Sequence, residues 1–292
     1  MPKYVKKSPH SKTRARILYW GTVSVLVVII LVCAGLISYK LITDAQDKGD
    51  YEKLSDQVDE IAATASRPTI PPATEPDPNL PEQTDPPEPT EPPVLDNSIL
   101  LEYQGMYAIN NDMVGWLRIE NTAINYPVVQ TPDSPNFYLR RNFAKENATC
   151  GTLYVREACD VNLPSDNVTI YGHNMRNGTM FADLHKYKSK TFWEDNRYVL
   201  FDTLTEYHAY EVFAVFITTA DLTKGFTYHI YDTFDTVADF NNYVTNCKNM
   251  MKKSMNYETT VTPQYGEKLL TLSTCDKSVD DGRLVVVARQ VY

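Results

Sequence analysis

No two cysteines of this 292-residue chain form a C-x-x-C pair, and none stands at metal-ligand spacing from a histidine. Without such a ligand frame the sequence predicts no metal site and no cofactor. A basic excess is missing too: formal net charge is −9, although the first sixteen residues are basic. Phosphate binding depends on a basic surface, which excludes nucleic acid as a partner. No internal repeat is apparent. Residues 17–38 carry no charge, and residues 67–94 carry no apolar pattern.

Those last two gaps mark segments. Residues 17–38 are apolar apart from Tyr, Thr and Ser, and are long enough to cross a hydrocarbon core of about 30 Å. Lys3, Lys6, Lys7, Lys12, Arg14 and Arg16 precede the span, and Asp44, Asp47, Asp50 and Glu52 follow it. That asymmetry makes residues 1–16 a cytoplasmic tail and puts everything after Lys40 outside the cell. A cleaved signal peptide is the competing reading, but its apolar core is normally about 7–15 residues. Cys33 resembles a lipoprotein acceptor except that Val32 is bulky where a small residue is wanted. The sequence therefore favours an uncleaved, single-pass anchor in the cell membrane. Residues 39–66 are charged with sparse apolar positions (Leu54, Val58, Ile61), enough for a juxtamembrane helix or short coiled coil but not for a core. Residues 67–97 are dominated by proline and form an extracellular stalk, extended and partly polyproline II. At about 3.1 Å per residue it reaches roughly 80 Å at most.

Residues 98–292 have the apolar patterns of a folded domain that is mainly β with helices. A helix is expected over 98–110, with Ser98 as N-cap and Ile99, Leu100, Tyr103 and Met106 on one side. Strands are expected at 114–119, 124–129, 151–155, 168–172, 198–201 and 268–274, and residues 206–218 are β-rich. Met180, Phe181, Leu184 and Tyr187 mark a helix over 180–193, and a stripe from Phe234 through Tyr243 to Cys247 marks another. Cys247 is then a packed helix residue rather than a nucleophile. Cys150 and Cys159 form a disulfide outside the cell, or remain thiols held apart by the strand between them; both readings stand.

Cys275 sits where strand 268–274 opens into a loop, and Arg283 begins the next apolar run after a polar segment ending in glycine. Two strands joined this way bring a thiol and a guanidinium together at one edge of a sheet. The strand ending at Tyr171 delivers His173 in the same manner. Thiol, imidazole and guanidinium are a nucleophile, an acid/base and an oxyanion donor, which is what acyl transfer through a thioester needs. A free cysteine titrates near about 8.5, so a neighbouring cation is needed to stabilise a thiolate at neutral pH, and His173 and Arg283 both qualify. A stable ion pair and a minor ionised population both remain open. The competing reading of Arg283 is a pairing with Asp280 or Asp281. Asp276 either orients a neighbouring group or faces solvent. Tyr171, Ser273 and Thr274 adjoin the proposed catalytic groups and are candidates for substrate contact, while His185, His208 and His229 have no motif support.

Thr271-Leu272-Ser273-Thr274-Cys275 followed by Arg283 resembles the T-L-x-T-C…R signature of sortases, the cysteine transpeptidases that attach proteins to Gram-positive cell walls. Tyr171-Gly172-His173-Asn174-Met175 resembles the segment around the family's histidine. Trp116-Leu117-Arg118-Ile119 and Thr122-Ala123-Ile124-Asn125-Tyr126-Pro127-Val128-Val129-Gln130 resemble the opening strands of class B members. The likeness covers roughly residues 98–292, with its elements in order. It implies a closed β-barrel of about eight strands, an N-terminal helix, and a helix before the Cys-bearing strand that helps to bound a substrate groove. It also implies Cys275, His173 and Arg283 as catalytic residues and no metal. The implied substrates are secreted proteins with a C-terminal sorting signal, an N-P-x-T-[N/G/S]-like pentapeptide cleaved after its Thr. The implied acceptor is an amine of a peptidoglycan precursor or cross-bridge. Two readings compete: an exported cysteine peptidase that hydrolyses its substrate, and a stalked wall-binding module without catalysis.

Overall fold

The computed structural model describes residues 9–65, 67–68, 99–162 and 164–292. Residues 1–8, the expected cap at Ser98 and all of the stalk beyond Pro68 lie outside them. The chain divides into two compact units, Met1–Asp47 and Lys48–Tyr292.

In the first unit the helix α1 (Pro9–Ala62) carries apolar side chains on its outside: Leu26, Ile30, Leu31 and Leu36 are each more than half exposed. Among the described residues it is one helix long and apolar enough to cross a membrane, with a mean hydropathy of 2.7 over its most apolar window.

The second unit begins with the last turns of α1, and here the structure departs from the sequence reading. Tyr51 and Val58 are buried in the same core as the strands, with Leu54 packed against it. Their spacing of three and four residues puts all three on one helix face. The Tyr51 hydroxyl donates to the Gly151 carbonyl at 2.8 Å and lies 2.8 Å from Thr152 Oγ1. Asp59 pairs with Arg118 and accepts a hydrogen bond from Asn125. The segment, expected to be a helix with too few apolar positions for a core, supplies part of the barrel's core; the missing clue was Tyr51, whose ring is apolar despite its hydroxyl. Arg67, assigned to the stalk, lies 2.5 Å from the buried Asp202 carboxylate and donates to the Tyr103 hydroxyl at 3.0 Å.

At the start of the helix α2 (Leu101–Ile109), Leu100 holds the entry position and anchors it through its N–H, which donates to the Leu204 carbonyl at 2.8 Å. Eight strands follow, β1 (Met113–Arg118), β2 (Asn125–Val129), β3 (Leu153–Val155), β4 (Asn167–Tyr171), β5 (Tyr198–Thr203), β6 (Ala209–Thr219), β7 (Leu269–Asp276) and β8 (Gly282–Gln290). They close into a barrel in the order β1-β2-β3-β4-β7-β8-β6-β5. Closure leaves no unpaired edge. β7 lies between β4, parallel to it, and β8, antiparallel to it. Hence its residues are buried on both faces throughout, with Cys275 the exception.

The expected helix over 180–193 is two pieces. A 3-10 helix (Ala182–Lys188) ends at Ser189, whose side chain accepts from the Phe192 N–H and restarts the chain as α3 (Lys190–Asp195). Between β6 and β7, α4 (Val237–Ser254) is capped by Thr236 and packs on β6 through Phe240, Tyr243, Val244, Cys247 and Met251.

Candidate active site

β7 extends one residue past Cys275, and Cys275 is the Cα partner of Arg283 in the β7–β8 ladder. Side chains alternate along a strand. Thr274 and Asp276 point into the protein, and the thiol between them is exposed. The parallel register of β4 and β7 pairs Tyr171 with Ser273, which brings the end of β4 alongside the end of β7. The Gly172 N–H donates to the Ser273 carbonyl at 3.2 Å, and Thr274 Oγ1 donates to the Gly172 carbonyl at 2.8 Å. Gly172 has no room for a side chain: a Cβ there would stand 2.7 Å from the Phe181 ring and collide with Leu153. A bulkier residue would push the chain off β7 just before His173.

The His173 Nε2 lies 2.8 Å from the Leu139 carbonyl oxygen. A carbonyl only accepts, so Nε2 carries a hydrogen and Nδ1 is the nitrogen left to exchange a proton. Gly151 backs this contact. It has φ +60°, and a Cβ on it would stand 2.8 Å from the Leu139 carbonyl oxygen. Arg283 donates from Nη1 to the carbonyls of Asp281 (3.3 Å) and Gly282 (3.0 Å). Among the described residues it forms no ion pair, so the expected competing pairing with the Asp280 or Asp281 carboxylate is not made.

Cys275, His173 and Arg283 line one cleft of about 420 Å³, together with Leu139, Tyr154 and Tyr228. Among the described residues no lining residue is a carboxylate, and Arg283 is the one fixed charge in the lining. Burial pushes the phenols of Tyr154, Tyr171 and Tyr228 up, which keeps them neutral donors. Tyr171, Ser273 and Thr274 all reach the cleft, but Ser273 and Thr274 are buried. The Ser273 hydroxyl is held 2.6 Å from that of Tyr228, and the Tyr171 ring packs on Tyr154. The lining also takes in Thr219 at the end of β6 and Leu222 and Thr227 from the connection after it, and among the described residues none from α4. No motif marked Leu139, Tyr154, Leu222 or Tyr228 in the sequence; only their place in the barrel assembles them.

Asp276 does not face solvent. Its side chain is 1% exposed, 2.5 Å from Lys188 Nζ, and it accepts from the Ser278 hydroxyl and N–H. Burial alone would push the carboxyl up, but Lys188 and Ser278 overcome it and hold it down at about 2. His185 Nδ1 lies 3.5 Å from the same carboxylate. The remaining cysteines of this unit, Cys150, Cys159 and Cys247, are buried, and the Cys150–Cys159 disulfide is not formed. Burial pushes the Cys159 and Cys247 thiols up.

The sortase domain family model matches residues 117–291. Sortase B of Listeria monocytogenes is 35% identical over 193 residues, 65% of this chain and 74% of that protein. The solved structure of Clostridium perfringens sortase B superposes with a TM-score of 0.57 at 30% identity, covering 64% of this chain and 98% of that chain. A Staphylococcus aureus sortase B–substrate complex superposes over 86% of this chain and 98% of that chain, with a TM-score of 0.66; at 22% identity it speaks for the fold.

Proposed function

The chain belongs to the sortase family of cysteine transpeptidases, in its class B, and on that premise we propose that Cys275, His173 and Arg283 cleave a sorting signal and pass its acyl group to a cell-wall amine. The observation that carries this reading is the ladder pair Cys275–Arg283, whose exposed thiol shares a cleft with His173. The Cys275 thiolate attacks the carbonyl of the scissile peptide bond. The developing oxyanion is stabilised by Arg283, whose planar fork of donors suits a carbonyl oxygen. Protonated His173, its Nε2–H bound to Leu139, delivers its Nδ1 proton to the departing amine, leaving a thioester on Cys275. An incoming amine then gives its proton to His173 and its lone pair to the thioester carbonyl, releasing the thiolate and the new amide.

The substrate in this reading is a secreted protein with a C-terminal N-P-x-T-[N/G/S]-like signal, and the acceptor is an amine of a peptidoglycan precursor or cross-bridge. The apolar outer face of α1 supports residues 17–38 as a membrane anchor, and the basic flank orients its N-terminus to the cytoplasm. Residues 1–16 form the tail; because Tyr51, Val58 and Arg67 already pack in the catalytic unit, the Pro-rich stretch links two parts of that unit rather than spacing it from the membrane. Protease added to intact, wall-stripped cells then removes the catalytic unit and spares the basic tail; protection of the unit would reverse the topology. A signal peptide incubated with and without an amine tests the reaction. Amine-dependent ligated product identifies transfer, whereas hydrolysed product unaffected by amine identifies the peptidase reading instead.

A further inference from the structure

The mechanism above uses one face of the Cys275 strand end, and the other face holds a polar cluster that it leaves without a role. β4 stops at Tyr171, so the Cys275 carbonyl has no strand beside it. The Asn174 side chain takes the place of that strand, with His185 beside it. Asn174 Nδ2 donates to the Cys275 carbonyl at 3.0 Å, and His185 Nε2 lies 3.3 Å from the same oxygen. The two are joined to each other, with Asn174 Nδ2 2.9 Å from His185 Nε2. Behind them His185 Nδ1 faces the buried Asp276 carboxylate, itself fixed by Lys188 and Ser278.

We propose that His185, held between Asp276 and Asn174, is a positioning residue that fixes the backbone of Cys275 relative to His173. The hydrogen-bond inventory specifies its form. A carboxylate facing Nδ1 favours a proton there, and Nε2 is then an acceptor for one of the two Asn174 amide hydrogens while the other goes to the Cys275 carbonyl. Because Asn174 directly follows His173, a single amide ties the histidine segment to the nucleophile strand. The charged groups facing His185 are Lys188 from its own 3-10 helix and Asp276 from β7. Burial and Lys188 push the imidazole's pKa down against the pull of the Cys275 carbonyl and of Asp276, which favours the neutral ring. Protonation would place a hydrogen on Nε2 and break the Asn174 contact.

This inference rests on Cys275 being the nucleophile, and its test separates the two claims. Full-length His185→Ala, His185→Gln and Asn174→Ala chains are compared with the parent for thermal midpoint, kcat and KM, and from pH 5 to 8 for the rate of Cys275 alkylation. Loss of positioning lowers kcat about 10- to 100-fold while KM stays within about two-fold. Gln restores an acceptor for Asn174, so His185→Gln recovers much of the loss and flattens the acid side of the pH profile. A kcat at the parent value in folded His185→Ala or Asn174→Ala overturns the proposal, as does an equal loss in the His185→Gln and His185→Ala variants. If His185→Ala unfolds, His185→Gln and Asn174→Ala carry the comparison. Activity remaining in Cys275→Ala would instead overturn the nucleophile assignment.

Discussion

Cys275 and Arg283 are Cα partners in the β7–β8 ladder, one pair short of its end at Asp276 and Gly282. Opposed residues of an antiparallel pair project from the same face of the sheet. Strand register therefore sets the thiol beside the guanidinium, and a slip of one residue would send one of them to the other face.

Arg283→Ala is expected to lower kcat about 10²–10³-fold, the usual cost of removing one oxyanion donor. Arg283→Lys keeps the charge but loses the planar fork, and is expected to remain badly impaired. Steady-state kinetics on a signal peptide check both. Near-parent kcat in the Lys variant would mean that Arg283 supplies charge alone.

Thiol labelling of the folded catalytic unit is expected to modify Cys275 and spare Cys150, Cys159 and Cys247, which are buried. For Cys159 and Cys247 burial also pushes the thiol up, leaving little thiolate to react. Peptide mapping by mass spectrometry distinguishes the four. All four are expected to react after denaturation, and equal labelling in the native state would contradict the packing described.

A protein truncated to begin at residue 95 is expected to be less stable than one beginning at Lys48. The shorter chain loses Tyr51 and Val58 from the core, at about 1.5–3 kcal/mol for each such side chain. It also loses Arg67 and strands the Asp202 carboxylate, which is 2% exposed. Breaking a buried pair from one side costs about 3–5 kcal/mol, so Arg67→Ala in the longer chain tests that part separately. Equal denaturation midpoints for the two lengths would show that α1 does not support the barrel.

Stability is expected to fall as pH drops from about 4 to about 2. The Asp276 carboxyl, whose ordinary pKa is 3.8, is held at about 2 in the folded protein by Lys188 and Ser278 against the opposing effect of burial. A depressed carboxyl contributes stability above its unfolded pKa and loses it as pH falls through the folded one, here about 2 kcal/mol. Asp276→Asn is expected to remove this part of the acid sensitivity in urea titrations at pH 5 and pH 2. An unchanged acid dependence would place the sensitive carboxylates elsewhere.

The strands and the meeting of Cys275, His173 and Arg283 in one cleft were legible because their signals are local. β7 is an apolar run, and Cys275, His173 and Arg283 each stand where such a run meets a polar segment. Tyr51, Arg67 and His185 were not legible, because their partners lie about ninety to a hundred and thirty-five residues away in sequence. Tyr51 has a polar atom that hides a buried ring, and Arg67 opens a proline-rich stretch that argues for solvent. Asp276 was left open for the same reason: only the fold brings Lys188 to it.

The most direct measurement is the mass of the Cys275-containing peptide after brief mixing of the full-length chain with a signal peptide. The account predicts an added acyl fragment ending at the signal's Thr, borne on Cys275 and released by an amine as ligated product. An adduct on Cys150, Cys159 or Cys247, or cleavage by Cys275→Ala at the parent rate, would contradict it.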